Sequence, residues 1–333
     1  MPHTAVHSSS DSLSQSLWYV APERAEIRSE YLDPLPSQGI RVRALFGSLS
    51  RGTESLIYRG LVPESEYGRM AAPWMGGSFP FPVQYGYSHV GEVEAGPVDW
   101  IGRRVFALRP HQTCYHAGVD EVVVLPNDLS AERAVLAANM ETALNAVWDA
   151  APGPGDRITV VGGGVVGCLV AYLCGHLPGA EVTLIDTNPD RARIASALGI
   201  AFSLPGEAPQ NCDTVFHCSA SVAGLATAMG AAGEEATVLE LSWYGTTPIQ
   251  APLGAAFHSR QIRLQSSQVG HIASSHRPRW THRRRLHTAV QLLRDARLDC
   301  LLSPAIDFSQ LPDRLPDLLG PRSDVLCCLI RYP

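Results

Sequence analysis

The stretch RITVVGGGVVG, residues 157–167, decides the fold. An apolar run ends in Gly162 and is followed by Gly164 and Gly167, which complete the spacing GxGxxG, and a helical pattern begins at Val165. In this spacing the first glycine makes the turn, the second lets a pyrophosphate approach the backbone, and the third lets helix and strand pack closely. The helix N-terminus offers free N–H groups and a partial positive charge to that pyrophosphate. The stretch therefore predicts a dinucleotide site.

A carboxylate stands at the end of the next predicted strand. Asp186 follows Gly167 by 19 residues, where it can bind both ribose hydroxyls of the adenosine half and would repel a 2′-phosphate. We therefore expect NAD(H) rather than NADP(H), although Asp186 could also be a plain strand-end cap. Arg191 either covers the adenosine or faces solvent. The expected cofactor contacts are Gly162, Gly164, Val165, Val166, Gly167, Asp186, Arg191, Ser219, Thr142 and Ser242.

Strands and helices alternate through the second half of the chain. Because strands separated by helices pair in parallel through right-handed crossovers, the pattern predicts a doubly wound α/β sheet of the Rossmann type. The predicted strands are 157–161, 181–185, 214–217, 236–241 and 262–266, and the helices are 165–176, 189–198 and 222–232. The first half has short β segments such as 40–46, 90–95 and 121–125, followed by a helix over 130–148, which predicts a small, mainly β domain.

Composition excludes several classes of protein. The formal charge of −6 makes nucleic acid an unsuitable partner. The 26 basic residues are all Arg, so Schiff-base enzymes, pyridoxal phosphate enzymes and phosphate-loop nucleotide triphosphatases, which need Lys, are excluded. The eight Cys show no CxxC spacing, which favours reduced thiols in a cytoplasm. Residues 1–16 are rich in Ser and predict a disordered tail, and 158–180 is an uncharged run that we expect to be strand, turn and helix rather than a membrane span.

The motif GYSHVGEV, residues 86–93, lies between the β-rich half and the glycine-rich half. This combination resembles the medium-chain dehydrogenase/reductase superfamily from Leu17 to the C-terminus. The stretch LSRGTE, residues 49–54, is similar to the branch that holds hydroxyethyl bacteriochlorophyllide dehydrogenase. The resemblance implies a GroES-like catalytic domain (17–138 and 271–333), a Rossmann NAD-binding domain (139–270), and a homodimer paired through the strand at 261–269.

The resemblance also shows what this chain lacks. In zinc alcohol dehydrogenases of the superfamily a Cys, a His, and a Cys or Glu hold the catalytic metal, and these places hold Ser50, Tyr87 and Ala138 here. None of the three is a good zinc ligand. The four-Cys structural zinc lobe is missing too, since residues 106–122 contain only Cys114. We expect no metal; the alternative is a rebuilt site from Glu54, His89, His111 and His116.

Without zinc, another group must stabilise the charge that hydride transfer leaves on the substrate oxygen. Tyr87 stands at a lost ligand position, and its phenol can donate a hydrogen bond or a proton. Ser50 and Thr53 could complete the donor set, and His89 or Glu54 could relay a proton to solvent. The alternatives are that Tyr87 is a half-buried core aromatic and that His89 is a surface side chain.

These features predict an NAD(H)-dependent, zinc-independent oxidoreductase that interconverts a ketone and a secondary alcohol on a small conjugated or ring-bearing metabolite. An enone or quinone reductase and a non-catalytic NAD(H)-binding sensor are the alternatives. The segment Arg277–Arg285 holds five Arg and is either an anion clamp or a solvated helix start.

Overall fold

The computed structural model of the chain describes residues 13–320 and 323–333 and arranges their strands in three β-sheets. The elements before the glycine-rich segment are β1 (Leu13–Ala21), β2 (Arg24–Tyr31), β3 (Gly39–Leu49), α1 (Arg51–Tyr58), β4 (Gly76–Gly77), β5 (Val83–Gln84), β6 (His89–Ala95), β7 (Arg104–Ala107), β8 (Cys114–Gly118), β9 (Val123–Val124), α2 (Ala131–Ala134) and α3 (Ala137–Ala150). Those after it are β10 (Arg157–Val161), α4 (Val165–Cys174), β11 (Glu181–Ile185), α5 (Arg191–Leu198), β12 (Ala201–Ser203), β13 (Cys212–His217), α6 (Val222–Ala231), β14 (Ala232–Glu240), α7 (Ala256–Ser259), β15 (Arg263–Ser266), α8 (His282–Leu292), β16 (Ile306–Asp307), α9 (Leu311–Leu318) and β17 (Cys328–Arg331).

The second half forms one parallel sheet with the strand order β12-β11-β10-β13-β14-β15. The predicted doubly wound sheet is confirmed. Its central strand β10 is buried over Ile158–Val161, as expected for a parallel strand covered on both faces. The predicted bounds 157–161 and 181–185 are those observed.

The first half is mainly β, as predicted. A seven-stranded sheet has the order β16-β17-β3-β6-β7-β9 with β8 also on β3, and a four-stranded sheet has the order β2-β1-β5-β4. Since β17 pairs antiparallel with β3, the end of the chain returns to the first sheet. The helix predicted over 130–148 is divided into α2 and α3, and the strand predicted over 121–125 has two residues. The exact division of the chain into domains stays a prediction; α8 packs against α3.

The predicted disordered tail is wrong for residues 13–16, which begin β1 and pair with β2; residues 1–12 lie outside the described residues. The Ser hydroxyls there are satisfied inside the protein rather than by water. Ser14 donates to the carbonyl of Cys114 at 2.7 Å, and Ser16 accepts from the Trp18 indole at 3.0 Å. Composition alone misses these partners because Cys114 is far away in the sequence.

The carboxyl ends of β10, β11, β13 and β14 lie along one edge of the parallel sheet, which is where ligands bind in open α/β sheets. The loop after β14 connects this edge to the β-rich half: the Thr246 N–H donates to the Leu61 carbonyl at 3.1 Å, just beyond α1. No helix in the described ranges has both the length and the apolar character needed to cross a bilayer.

Candidate functional site

The glycine turn has a geometry that only small residues permit. Gly162 has φ +110°, and a Cβ there would lie 2.8 Å from the Ser219 nitrogen. A Cβ on Gly167 would lie 1.9 Å from the Gly162 carbonyl oxygen, so α4 contacts the end of β10 directly. A Cβ on Gly164 would meet no atom within 4 Å. The N-terminus of α4 therefore opens onto free space, which fits a phosphate group held by backbone N–H groups.

Asp186 follows β11 beside this turn. Its carboxylate accepts from the Gly163 N–H at 2.6 Å and from the Asn188 N–H at 2.8 Å, and the side chain is half-buried. These two bonds fix the orientation of the carboxylate and leave acceptor capacity on both oxygens, since a carboxylate has about four lone-pair sites. The arrangement suits a ribose diol.

Two arginines, one of them missed by the sequence reasoning, approach the same turn. A Cβ on Gly163 would lie 3.2 Å from the Cγ of Arg191, whose guanidinium donates to the Asp324 carbonyl at 3.0 Å. Arg51 donates to the Val325 carbonyl at 3.0 Å, and its buried Nε has no hydrogen-bond partner among the described residues. Burial and the nearby Arg191 lower the pKa of Arg51. Two adjacent cations with an unused donor fit an anionic ligand such as a pyrophosphate.

Of the other predicted cofactor contacts, some lie at the glycine turn and one lies within α3. Ser219 lies against Gly162. Ser242 lies near Ser219, because the Ser242 hydroxyl accepts from the N–H of the next residue, Ala220, at 3.0 Å. Val165 and Val166 form the first turn of α4 and are half-buried. The hydroxyl of Thr142 donates within α3, to the Ala138 carbonyl at 3.0 Å.

Tyr87, Ser50 and Thr53 come together in the β-rich half. The phenol of Tyr87 donates to the Ser50 hydroxyl and lies 3.3 Å from the Thr53 hydroxyl. Burial raises the pKa of the Tyr87 phenol above its ordinary value, although the hydrogen bonds to Ser50 and Thr53 oppose the rise. The phenol therefore stays protonated near neutral pH and can donate a hydrogen bond. The sequence could predict this trio because the resemblance aligned Ser50 and Tyr87.

Glu54, which shares α1 with Thr53, is fully buried in a network that meets the trio at the Ser50 backbone. Its carboxylate accepts from the Tyr19 phenol at 2.6 Å and from the Ser50 N–H at 2.7 Å, and it lies 2.9 Å from Nε2 of His111. Burial and this carboxylate raise the pKa of Tyr19 well above its ordinary value. Glu54 has no exposed surface, so a relay that includes it would pass through His111 or Tyr19 rather than directly to solvent, and the relay stays a prediction.

His89 lies apart from the trio. It is fully buried, and its Nε2 lies 2.9 Å from the Gln112 carbonyl oxygen. Burial lowers the pKa of His89 to about 4. The alternative that His89 is a surface side chain is wrong, because the ring packs edge-on against Tyr115 with centroids 4.9 Å apart. No group of three or more His, Cys, Asp or Glu side chains that could hold a metal occurs in the ranges that the structure describes.

The Arg277–Arg285 segment separates into two parts. Arg285 is buried and forms an ion pair with Glu141 of α3 at 3.0 Å. It also donates to the carbonyls of Val269 and His271. The remaining members are exposed: Arg277, Arg279, Arg283 and Arg284.

Comparisons with known proteins agree with this architecture. No family model matches the chain. It is similar to the D-guloside 3-dehydrogenase of Escherichia coli K12, with 22% identity over 308 residues, covering 82% of this chain and 87% of the relative. The solved structure of L-idonate 5-dehydrogenase from Escherichia coli K-12 superposes with a TM-score of 0.78 at 15% identity, covering 96% and 99% of the two chains. A putative zinc-binding dehydrogenase from Sinorhizobium meliloti bound to NADP superposes with a TM-score of 0.74 at 16% identity, covering 96% and 99%. The chain therefore shares the fold of these solved dehydrogenases, a Rossmann sheet joined to a mainly β domain, as the sequence resemblance implied.

Proposed function

We propose that the protein is a zinc-independent, NAD(H)-dependent oxidoreductase that interconverts a ketone and a secondary alcohol on a small ring-bearing or conjugated metabolite. The observation that carries this proposal is the hydroxyl trio: Tyr87 donates to Ser50 and lies 3.3 Å from Thr53. The resemblance aligns Ser50 and Tyr87 with zinc ligands. Their hydroxyl groups offer hydrogen-bond donors where the metal of related proteins acts as a Lewis acid.

The trio can supply the electrophilic part of the chemistry. A bound nicotinamide would deliver or accept the hydride. Tyr87 is protonated near neutral pH because burial raises its pKa, so its phenol can donate to the substrate oxygen as charge develops there. A well-placed donor of this kind lowers the barrier by about 3 to 4 kcal/mol. The phenol has one O–H, which here donates to Ser50; to donate to the substrate it turns away, and the Ser50 hydroxyl donates to the phenol oxygen instead.

The cofactor preference follows from Asp186. Its carboxylate is held against the glycine turn by the Gly163 N–H at 2.6 Å, where a 2′-phosphate would meet a negative charge, so we propose NAD(H). The test is titration of NADH and NADPH against the wild type and Asp186→Ser. The wild type should bind NADH more tightly by about tenfold or more, and the variant should lose most of that preference. Equal affinity for the two cofactors in the wild type would contradict the assignment.

The names of the relatives support the type of reaction. One is named for a guloside and one for idonate, and both are called dehydrogenases, which favours alcohol and ketone chemistry over enone reduction. We test this by following NADH absorbance with cyclic ketones and, in reverse, NAD⁺ with ring-bearing secondary alcohols. Turnover in a preparation with far less than one zinc per chain is expected. Turnover that needs stoichiometric zinc would refute the metal-free scheme, and NADH binding without turnover would favour a sensor.

We also propose a homodimer. β15 is an edge strand of the parallel sheet, and its residues Arg263–Ser266 are all exposed. An exposed edge can pair with a second copy across a two-fold axis. Sedimentation should give the mass of a dimer, and a monomer at micromolar concentration would contradict this proposal.

A further inference from the structure

A second polar cluster lies at the carboxyl ends of β13 and β14, and the proposed chemistry at Tyr87 does not use it. Nε2 of His217 lies 2.8 Å from the Ser219 hydroxyl, and Nδ1 of His217 lies 2.7 Å from a carboxylate oxygen of Glu240. The Tyr244 phenol donates to the same carboxylate oxygen at 3.1 Å. His217 is fully buried, and Ser219 is half-buried. A hydroxyl, an imidazole and a carboxylate therefore lie in series, from the edge of the sheet inward.

The ionisation of Glu240 decides which nitrogen of His217 donates to it. Burial raises the pKa of Glu240, but hydrogen bonds from His217 and Ser242 outweigh this and leave the pKa below its ordinary value. An ionised carboxylate only accepts hydrogen bonds, so Nδ1 of His217 must be its donor. In the tautomer with its proton on Nδ1, Nε2 is an acceptor for the Ser219 O–H, which also lies 3.0 Å from the Ser221 hydroxyl. A hydroxyl that donates to an oriented imidazole is activated as a base or nucleophile.

Neighbouring glycines hold this pair in place. A Cβ on Gly224 of α6 would lie 2.0 Å from the Ser219 hydroxyl oxygen and 2.8 Å from Nε2 of His217, so the pair occupies the space where a side chain would stand. On its other side, the Ser219 nitrogen would lie 2.8 Å from a Cβ on Gly162. Ser219 therefore lies between the first glycine of the dinucleotide turn and α6. The backbone of Ser219 faces the glycine turn, and its half-buried side chain lies at the carboxyl edge of the parallel sheet, where ligands bind in open α/β sheets.

We propose that Ser219, activated by His217 and Glu240, binds a hydroxyl group of the ligand in this cleft and passes its proton to His217. The inference rests on the proposed dehydrogenase function. The ligand class is an alcohol or diol, which can be the ribose of the dinucleotide or the hydroxyl of the substrate. With a substrate alcohol, its O–H proton moves to the Ser219 oxygen while the Ser219 proton moves to Nε2 of His217. The oxygen keeps the O–H electron pair to form the carbonyl, and the C–H pair leaves as hydride on the oxidised nicotinamide. Ser219 is then a catalytic residue, and His217 and Glu240 are positioning residues.

Three variants test the proposal: Ser219→Ala, Gly224→Ala and His217→Gln. Ser219→Ala removes the hydroxyl, and Gly224→Ala displaces it from His217 while keeping both groups. Ser196→Ala, at an exposed position of α5, is the matched control. The readouts are the NADH dissociation constant by fluorescence titration, kcat and KM for alcohol oxidation, and the thermal midpoint of each variant.

The two sources of the hydroxyl give different results. If the ribose is bound, Ser219→Ala and Gly224→Ala weaken NADH binding by about fivefold or more. If the substrate is bound, NADH affinity stays within about twofold while kcat falls about tenfold or more. In that case His217→Gln lowers kcat about tenfold or more while KM and the thermal midpoint stay close to those of the wild type, a split that a purely structural role would not give.

The proposal is overturned if Ser219→Ala and Gly224→Ala match Ser196→Ala within about twofold in both NADH affinity and kcat. Failure of the proposed function looks different. In that case the wild type binds NADH but converts no ketone or alcohol, and the affinity measurement still tests whether Ser219 binds a ribose hydroxyl.

Discussion

Replacing Tyr87 by Phe tests the central chemical proposal. The phenol donates to Ser50 and lies 3.3 Å from Thr53, and removing it takes this partner from both hydroxyls. Loss of one donor to a developing oxyanion costs about 3 to 4 kcal/mol, so kcat for ketone reduction should fall by about 10²- to 10³-fold. Loss of the hydrogen bond to Ser50 should cost about 1 kcal/mol of stability. NADH affinity should not change, because Tyr87 lies outside the glycine turn.

Tyr85→Phe is the matched control. Tyr85 lies two residues away, is buried, and directs its hydroxyl to the Met70 carbonyl at 3.3 Å rather than to Ser50 or Thr53. It should lose a similar amount of stability and keep its kcat. Steady-state rates, NADH titration and thermal melts on the three proteins separate the two effects. If Tyr87→Phe turns over within about threefold of the wild type, less than about 1 kcal/mol of barrier, the phenol is not the proton or hydrogen-bond donor and the scheme is refuted.

Three further predictions concern the fold around the site. Gly167→Ala places a Cβ 1.9 Å from a backbone oxygen and should cost about 1–3 kcal/mol of stability. Gly164→Ala meets no atom within 4 Å, so it should keep the thermal midpoint of the wild type and lose NADH affinity. Equal thermal midpoints for the two variants would contradict this. Arg285→Met leaves Glu141 buried without its ion pair and should cost about 3–5 kcal/mol in urea unfolding; a loss under about 1 kcal/mol would contradict the buried pairing. His89 has its pKa lowered to about 4 by burial, so the unfolded chain takes up its proton first as pH falls and stability drops by about 3 kcal/mol between pH 6.5 and 4. His89→Gln should remove that part of the acid sensitivity, and an unchanged pH profile would show that other groups cause it.

The sequence by itself determined the cofactor fold. Alternating strands and helices with a GxGxxG turn specify a parallel sheet through local periodicity and through backbone conformations such as φ +110° at Gly162. These signals lie within a few residues of each other, so the bounds of β10 and β11 could be predicted. The trio at Tyr87 was predicted through a resemblance that aligned Ser50 and Tyr87, and Thr53 follows on the same loop and helix.

Only the tertiary structure decided where the remaining polar groups lie. Glu54 is adjacent in sequence to Thr53, yet the rotation of about 100° between neighbouring residues of α1 directs its side chain to Tyr19 and His111 in a buried network. His217 and Glu240 are register partners on neighbouring parallel strands and have no sequence signal that joins them. Contacts of this kind depend on which strand ends share an edge and which side of each strand a residue occupies. Strand pairing sets both, because it joins residues far apart in the chain.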